Sequence, residues 1–189
     1  MTPTLLAFLY LLLKFLQIEK VQIQLSEYDE LFKASALRRN WDWRFLASIA
    51  YQESRYNPNA RGFGGAYGMM QFMPNTGPSF DVYPDSPPEV QIEGGMRYID
   101  QLYNSWKNIE SREQRLKFTL ASYNAGKGHI EDAVRLAEKL GYNPTIWDDN
   151  VELMIKLLSD PLYYRKPPVK YGAYRGPAKS YVNSIYSRY

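Results

Sequence analysis

The chain has 189 residues, of which 45% are hydrophobic and 23% charged, so it is predicted to form one globular domain, or one domain with a short appendage. Its net charge of +3 is compatible with an anionic partner, but no Lys/Arg cluster is dense enough to indicate nucleic-acid binding. The absence of cysteine excludes disulfides, thiolate metal sites and a cysteine nucleophile. The single histidine, His129, argues against a histidine-rich metal site and a Ser-His-Asp triad, and we expect it to be solvated. We predict no metal, no cofactor and no nucleic acid.

The N-terminal residues 1–24 are dominated by an apolar segment. Its uninterrupted part, residues 5–13, is shorter than a helix that spans a bilayer. The segment is typical of the central region of a secretory signal or signal-anchor, although no basic stretch precedes it and no clear cleavage site follows. A helix in the membrane interface and a helix packed on the domain are the alternatives. We predict a signal or membrane-anchor segment, with membrane association through residues 4–18.

The remaining residues, 25–189, have the pattern of successive helices without a convincing strand. Residues 29–36 predict a short helix. Residues 41–55 predict a longer one, because its apolar positions recur at helical spacing, and Asn57-Pro58 is expected to end it. Residues 59–85 are rich in glycine and proline and predict a long loop, which is usually functional in a compact domain.

The middle of the chain carries clear helix boundaries. Pro87-Pro88 is expected to open a third helix. Ser111 and Gln114 have the spacing of a capping box for a fourth helix, which ends at Gly126. Residues 128–140 are amphipathic and predict a fifth.

The C-terminal part predicts two more helices around a loop. Thr145 is expected to cap the first, residues 160–176 form a loop rich in tyrosine and proline, and Pro177 suits the first turn of the last helix. We expect Tyr181 to be buried in the core. The predicted class is all-α, a compact bundle of orthogonal helices.

Glu53 is the residue with the most informative position. It falls on the core-facing side of the second predicted helix, near the helix C-terminus. Desolvation and the negative end of the helix dipole both disfavour its ionised form and therefore raise its pKa. A carboxyl that stays protonated near neutral pH can serve as a general acid. The alternative is a half-buried glutamate paired with an arginine such as Arg55 or Arg61.

Three short motifs surround this glutamate. In chain order they are Gln52-Glu53-Ser54, Gly68-Met69-Met70-Gln71 and Ser122-Tyr123-Asn124-Ala125-Gly126. Together they resemble the three signatures of the soluble-type lytic transglycosylases, whose catalytic domain has a goose-type lysozyme-like fold. Met69 and Ser122 depart from the usual Leu and Ala, but both replacements conserve size.

Two longer stretches are more specific: IAYQESRYNPNA at residues 49–60 and DPLYYRKPPVKYGAYRGPAKSYVNSI at residues 160–185. They resemble one subgroup of that family, the membrane-bound lytic murein transglycosylases F, and the resemblance covers roughly Tyr28 to the C-terminus. Full-length members of the subgroup carry a further domain that resembles solute-binding proteins. This chain has no room for that domain, so we expect a short form, a fragment or a chain with a misassigned start.

The resemblance implies that residues 25–189 cleave the MurNAc-GlcNAc β-1,4 bond of peptidoglycan without water, in the periplasm or at a membrane of the cell envelope. Glu53 would be the only catalytic carboxylate: it protonates the glycosidic oxygen and then accepts the proton of the muramic C6 hydroxyl, giving a 1,6-anhydro end. The expected partner is the glycan strand, and the expected state is a monomer. The implied substrate-binding residues are Ser54, Met70, Gln71, Tyr123 and Asn124.

Other functions stay open. A lysozyme-like hydrolase would need a second carboxylate to activate water, for which Asp81, Asp85 and Glu93 are candidates. An inactive wall-binding module and a chitin-directed enzyme are further alternatives, although an intact Glu53 argues against the first. Tyr171 and Tyr174 are weaker candidates to line a substrate groove.

Overall fold

The computed structural model describes residues 24–189. The predicted signal or anchor segment, including residues 4–18, lies outside the described residues. Within residues 24–189, no helix combines the length and the apolar character needed to cross a bilayer.

The described residues form eight α-helices connected by loops and short 3-10 turns. They are α1 (Asp29–Leu37), α2 (Trp43–Ser54), α3 (Pro88–Ser105), α4 (Arg112–Ala125), α5 (Lys127–Leu140), α6 (Glu152–Leu157), α7 (Pro161–Tyr164) and α8 (Ala178–Tyr186). Extended pairing in this part of the chain is limited to two isolated bridges, Arg61 with Tyr67 and Tyr67 with Phe72. The predicted all-α class is confirmed for residues 24–189.

Helix α4 runs through the middle of the bundle. Every residue from 116 to 122 is buried, on all sides of the helix, which is the pattern of a helix enclosed by others rather than lying on a surface. It packs against α3, α5 and α8. Its buried Ser122 hydroxyl accepts a hydrogen bond from the Trp106 indole at 2.9 Å, so the polar group is satisfied inside the core.

The cap of α4 agrees with the sequence only in part. The Ser111 hydroxyl accepts a hydrogen bond from the backbone N–H of Gln114 at 3.3 Å. The Gln114 side chain does not complete the predicted capping box. It reaches the turn before α6, where it accepts from the backbone N–H of Trp147 at 2.7 Å and donates to Asp148 at 2.8 Å. A long-range contact thus replaces the local one.

Helix α7 lies within residues 160–176, which are predicted as a loop, and the helix boundaries near Ser54 and Thr145 also differ from the prediction. Helix α2 ends at Ser54, before the predicted proline stop, because Arg55 and Tyr56 both adopt positive φ angles of 56° and 65°. Thr145 does not cap a helix, because its hydroxyl bonds to the Asn143 side chain at 2.8 Å. A wide turn at Trp147–Val151 separates it from α6.

The expectation that His129 is solvated is wrong. It lies in α5, is half-buried, and its ring is 5.4 Å from the ring of Tyr174. Its Nδ1 is shielded from solvent without a partner among the described residues, and burial lowers the pKa of His129.

The long loop between α2 and α3 is held in place by buried polar groups. Gln91 of α3 is 1% exposed, and its amide donates to the carbonyls of Pro58 at 3.1 Å and Ser86 at 2.6 Å. The Tyr67 hydroxyl donates to the Val82 carbonyl at 2.7 Å. The loop is therefore an ordered part of the domain, and it carries the second sequence motif to its place beside α2.

Candidate active site

Glu53 lies between two helices that are far apart in sequence. It is the second-last residue of α2 and is half-buried. Tyr181 of α8, itself only 6% exposed, donates its hydroxyl to the Glu53 carboxyl group. Because α8 packs on both α2 and α4, the carboxyl is held in a fixed position at the edge of the core.

The surroundings of Glu53 favour its neutral form. Burial raises the pKa of Glu53 from 4.5 to about 7, and the hydrogen bond from Tyr181 opposes part of that rise. Within residues 24–189 the carboxyl has no cationic partner. Arg55 lies over the ring of Tyr51, and Arg61 faces Asp85 at 3.7 Å. The alternative of an arginine-paired glutamate is therefore wrong.

The second motif forms a tight turn. The backbones of Tyr67 and Phe72 pair in both directions at 2.9 Å and enclose the four residues from Gly68 to Gln71. Gly68 has a φ of 78°, and a Cβ at this position would lie 2.4 Å from the Gln91 side-chain oxygen. The position therefore requires glycine.

Three helices fasten this turn. The Ser54 hydroxyl of α2 donates to the Met69 carbonyl at 2.7 Å, and the Tyr123 hydroxyl of α4 donates to the Met70 carbonyl at 2.7 Å. The backbone N–H of Met69 donates to Gln91 of α3 at 2.6 Å. All three sequence motifs thus meet at one place, and each contact fixes a backbone group of the turn.

The predicted substrate-binding residues differ in how open they are. The Ser54 hydroxyl is engaged with backbone groups, and Met70 is fully buried, at 0% exposure. Gln71 is half-buried, and its amide donates to the Gly68 carbonyl at 2.9 Å, which leaves its oxygen near Gly62. Ser54 and Met70 therefore order the turn, whereas Gln71 lies at its surface.

Aromatic rings form the wall beside the turn. The rings of Tyr123 and Tyr98 are 5.2 Å apart, and burial together with the charge of Glu53 raises the pKa of Tyr123 well above its ordinary value. A cleft of about 40 Å³ opens here, and its lining residues are Gln71, Phe72, Met73, Thr76, Tyr98 and Tyr123. Flat faces with polar edges are suited to sugar rings.

The remaining motif residue, Asn124, is linked through Tyr174 to the start of α8. The Asn124 side-chain oxygen accepts a hydrogen bond from the Tyr174 hydroxyl at 2.9 Å, and that hydroxyl accepts from the backbone N–H of Ala178 at 3.1 Å. Tyr174 thus ties the third motif to the start of α8. Tyr171, in contrast, is 58% exposed and packs on Gly128.

The three rival carboxylates are engaged elsewhere. Glu93 binds Arg39 at 2.7 Å and faces α1, while Asp81 and Asp85 each pair with an arginine near the surface. No carboxylate of the described residues contributes to the pKa shift of Glu53. Within the same residues, no three His, Asp or Glu side chains are grouped as a metal site would require.

Sequence reasoning missed two residues of this site. Tyr181 was expected only as a core residue, and Gln91 was not considered. A tyrosine on a core-facing helix position needs a partner for its hydroxyl, which is the one local signal for Tyr181. For Gln91 the signal is its place beside the apolar Ile92 on a predicted helix. A polar side chain buried there would need hydrogen-bond partners.

The Tyr181→Phe variant tests the electrostatic role of the Tyr181 hydroxyl. Removing the hydrogen bond should raise the pKa of Glu53 further, because the bond stabilises the carboxylate. If protonated Glu53 is the active form, the decline of kcat at alkaline pH should move to higher pH. A pH–rate profile of both proteins measures this, and a shift to lower pH would contradict it.

The Glu53→Gln variant should alter the pH dependence of stability. The folded-state pKa of about 7 lies above the ordinary 4.5, so wild type loses stability as pH rises between these values. Glutamine does not ionise, so the variant should gain about 3 kcal/mol relative to wild type between pH 4 and pH 8. Urea unfolding at both pH values measures the difference, and a gain independent of pH would be inconsistent with a buried neutral acid.

Comparison with known families places the chain in one of them. The profile described as the transglycosylase SLT domain matches residues 30–146, well over half of the chain. The protein belongs to the transglycosylase SLT domain family. Membership agrees with the resemblance seen in the three motifs.

Several relatives of known sequence share one name. Membrane-bound lytic murein transglycosylase F from Aeromonas salmonicida is 38% identical over 173 residues, which are 91% of this chain and 34% of that protein. The proteins of the same name from Maricaulis maris and Shewanella loihica are 39% and 41% identical, over 84% and 89% of this chain and 34% of each relative. The chain thus spans about a third of the length of these relatives.

Solved structures give a weaker similarity. Lytic transglycosylase Slt from Pseudomonas aeruginosa has a TM-score of 0.47 and 22% identity, over 82% of this chain and 28% of that chain. The 70 kDa soluble lytic transglycosylase from Escherichia coli has a TM-score of 0.45 and 28% identity, over 73% of this chain and 24% of that chain. The family assignment rests on the sequence match.

Proposed function

We propose that residues 25–189 form a catalytic domain that cleaves the β-1,4 bond between MurNAc and GlcNAc in peptidoglycan without consuming water. The observation that carries the proposal is the half-buried Glu53, whose pKa of about 7 lets it give up and regain a proton near neutral pH. The names of its relatives, lytic murein transglycosylases, support murein as the substrate.

The first step needs an acid. Glu53 in its protonated form donates a proton to the glycosidic oxygen, and the bond to the anomeric carbon breaks. The positive charge that develops at that carbon is stabilised by the substrate's own N-acetyl group, so no second carboxylate is needed as a nucleophile. None of Asp81, Asp85 and Glu93 contributes to the pKa shift of Glu53, which supports this single-carboxylate mechanism over that of a hydrolase.

The second step needs a base. Glu53, now ionised, accepts the proton of the muramic C6 hydroxyl while that oxygen closes on C1, giving a 1,6-anhydroMurNAc end. The attack is intramolecular, so it gains from proximity and requires no bound water. Tyr181 stabilises the carboxylate between the two steps through its hydrogen bond.

The turn and its aromatic wall bind the sugar in this proposal. Gln71 and Asn124 offer amide groups, and Tyr123 offers a ring face at the cleft. Ser54 and Met70 act indirectly, since their contacts fix the backbone of the turn beside Glu53. The roles proposed for these five residues rest on their positions around the turn and Glu53.

The relatives also bear on location. Their description as membrane-bound murein enzymes supports a place in the cell envelope, in contact with peptidoglycan, for this chain too. Attachment through residues 4–18 and a monomeric state remain predictions.

Analysis of digestion products tests the proposed reaction. Purified peptidoglycan treated with the protein should release muropeptides with 1,6-anhydro ends, which are lighter by one water than the reducing ends that a hydrolase leaves. Mass spectrometry separates the two. Reducing ends in place of anhydro ends would favour the lysozyme-like alternative, and the absence of any released muropeptide would favour the wall-binding module.

A further inference from the structure

A second groove lies on the other side of α8 from Glu53. It has a volume of about 550 Å³ and is formed by α6, α8 and the segment that precedes α8. Its polar and charged lining residues include Glu152, Lys156, Tyr174, Arg175, Lys179 and Asn183. Two faces of helix α8 therefore line different sites. Tyr181 on one face contacts Glu53, while Lys179 and Asn183, one turn apart on the other face, line the groove.

The groove carries an excess of positive charge. Three of its side chains are cationic and one is anionic. The anion, Glu152, is buried and bound by Lys179 at 2.8 Å, which also raises the pKa of Lys179. Lys156 and Arg175 are exposed and form no ion pair within residues 24–189. These two cations are available to a negatively charged ligand.

One residue connects the groove with the candidate active site. Tyr174 lines the groove, and its hydroxyl donates to Asn124 of the third motif at 2.9 Å. The same hydroxyl accepts from the backbone N–H of Ala178, and a Cβ at Gly176 would lie 2.4 Å from it. Tyr174 thus contacts the third motif through its hydroxyl and also lines the groove, so a ligand that contacts Asn124 lies within one side chain of the groove.

We propose that this groove binds the peptide stem attached to the muramic acid, through the stem's carboxylates. The proposal rests on the proposed function, which supplies a branched substrate with an anionic peptide close to the cleaved bond. A stem of three to five residues spans roughly 10–17 Å when extended, enough to pass from the sugar around Tyr174 into the groove. Lys156 and Arg175 bind its carboxylates, and the apolar part of the wall contacts its side chains.

Kinetics with two substrates test the proposal. One substrate is peptidoglycan strands with intact stems, and the other is the same strands after an amidase has removed the stems. Wild type should have a lower KM for the stem-bearing strands. In the double variant Lys156→Gln/Arg175→Gln this preference should fall by about five- to tenfold, because two exposed charge contacts are lost. The preference of wild type should also weaken with added salt.

A charge-matched variant provides the control. Lys107 and Arg112 are exposed, lie outside the groove and form no ion pair within the described residues. The variant Lys107→Gln/Arg112→Gln has the same net charge as the groove variant and should keep the wild-type preference. Equal KM values of wild type for the two substrates, or equal effects of the two double variants, would overturn the proposal.

Binding measured without catalysis separates this proposal from the proposed function. A free stem tetrapeptide can be titrated into Glu53→Gln protein and followed by NMR. Shifts at Lys156, Arg175 and Tyr174, together with loss of the Tyr174 shift in the groove variant, would support the groove even if no anhydro product forms. A tetrapeptide that causes no shifts there at millimolar concentration would overturn the groove while leaving the cleavage reaction intact.

Discussion

Replacement of Glu53 by glutamine is expected to lower the rate of peptidoglycan cleavage by about 1,000-fold, the contribution of a group that acts as both acid and base. The amide keeps the size of the carboxyl and can still meet the Tyr181 hydroxyl, but it can neither give nor take the proton. KM should change little, because the turn and the aromatic wall are untouched. Release of soluble muropeptides over time measures both quantities.

The rival carboxylates provide the controls for that experiment. Asp85→Asn and Asp81→Asn change surface carboxylates that pair with arginines and do not affect the pKa of Glu53. Both variants should retain most of the wild-type rate. A loss in either that equals the loss in Glu53→Gln would identify a second catalytic carboxylate and support hydrolysis.

The Gln91→Leu variant is expected to unfold at a clearly lower temperature. Leucine fills similar space but leaves the Met69 N–H and the carbonyls of Pro58 and Ser86 without their partner. The loss of these three hydrogen bonds of a buried side chain should cost roughly 3 kcal/mol, or about 6–12 °C in Tm. Because Met69 belongs to the turn beside Glu53, activity measured well below the Tm should fall as well.

A second glutamine on the same helix serves as the control for the lost hydrogen bonds. Gln101 is exposed on α3, and its side chain makes no hydrogen bond within residues 24–189. Gln101→Leu introduces the same change without removing a buried contact, so its Tm should stay within about 2 °C of wild type. Equal Tm values for Gln91→Leu and Gln101→Leu would mean that Gln91 does not hold the loop.

The helices that local signals define were predictable. Helices α1 to α5 follow from apolar spacing together with boundary residues such as Pro88 and Ser111, which act within one turn. The region after residue 141 was predicted less well. There Asp149 has a positive φ of 54° and the turn is held by Gln114, more than 30 residues earlier, so no local pattern records it.

The candidate site was likewise predicted only in part. The position of Glu53 at the end of a core-facing helix correctly gave the direction of its pKa shift, and the motifs correctly indicated which segments meet. The partner of the carboxyl could not be derived, because Tyr181 lies 128 residues away and its contact depends on how α8 crosses α2. For the same reason the sequence did not distinguish the outward-facing Gln71 from the buried Met70.

The central claim is that burial keeps the Glu53 carboxyl protonated near neutral pH. The most direct test is an NMR titration of the ¹³C-labelled glutamate carboxyls, with the Glu53 signal assigned from its absence in Glu53→Gln. We expect this one signal to titrate with a midpoint near 7. A midpoint near 4.5, the ordinary value for glutamate, would contradict the account.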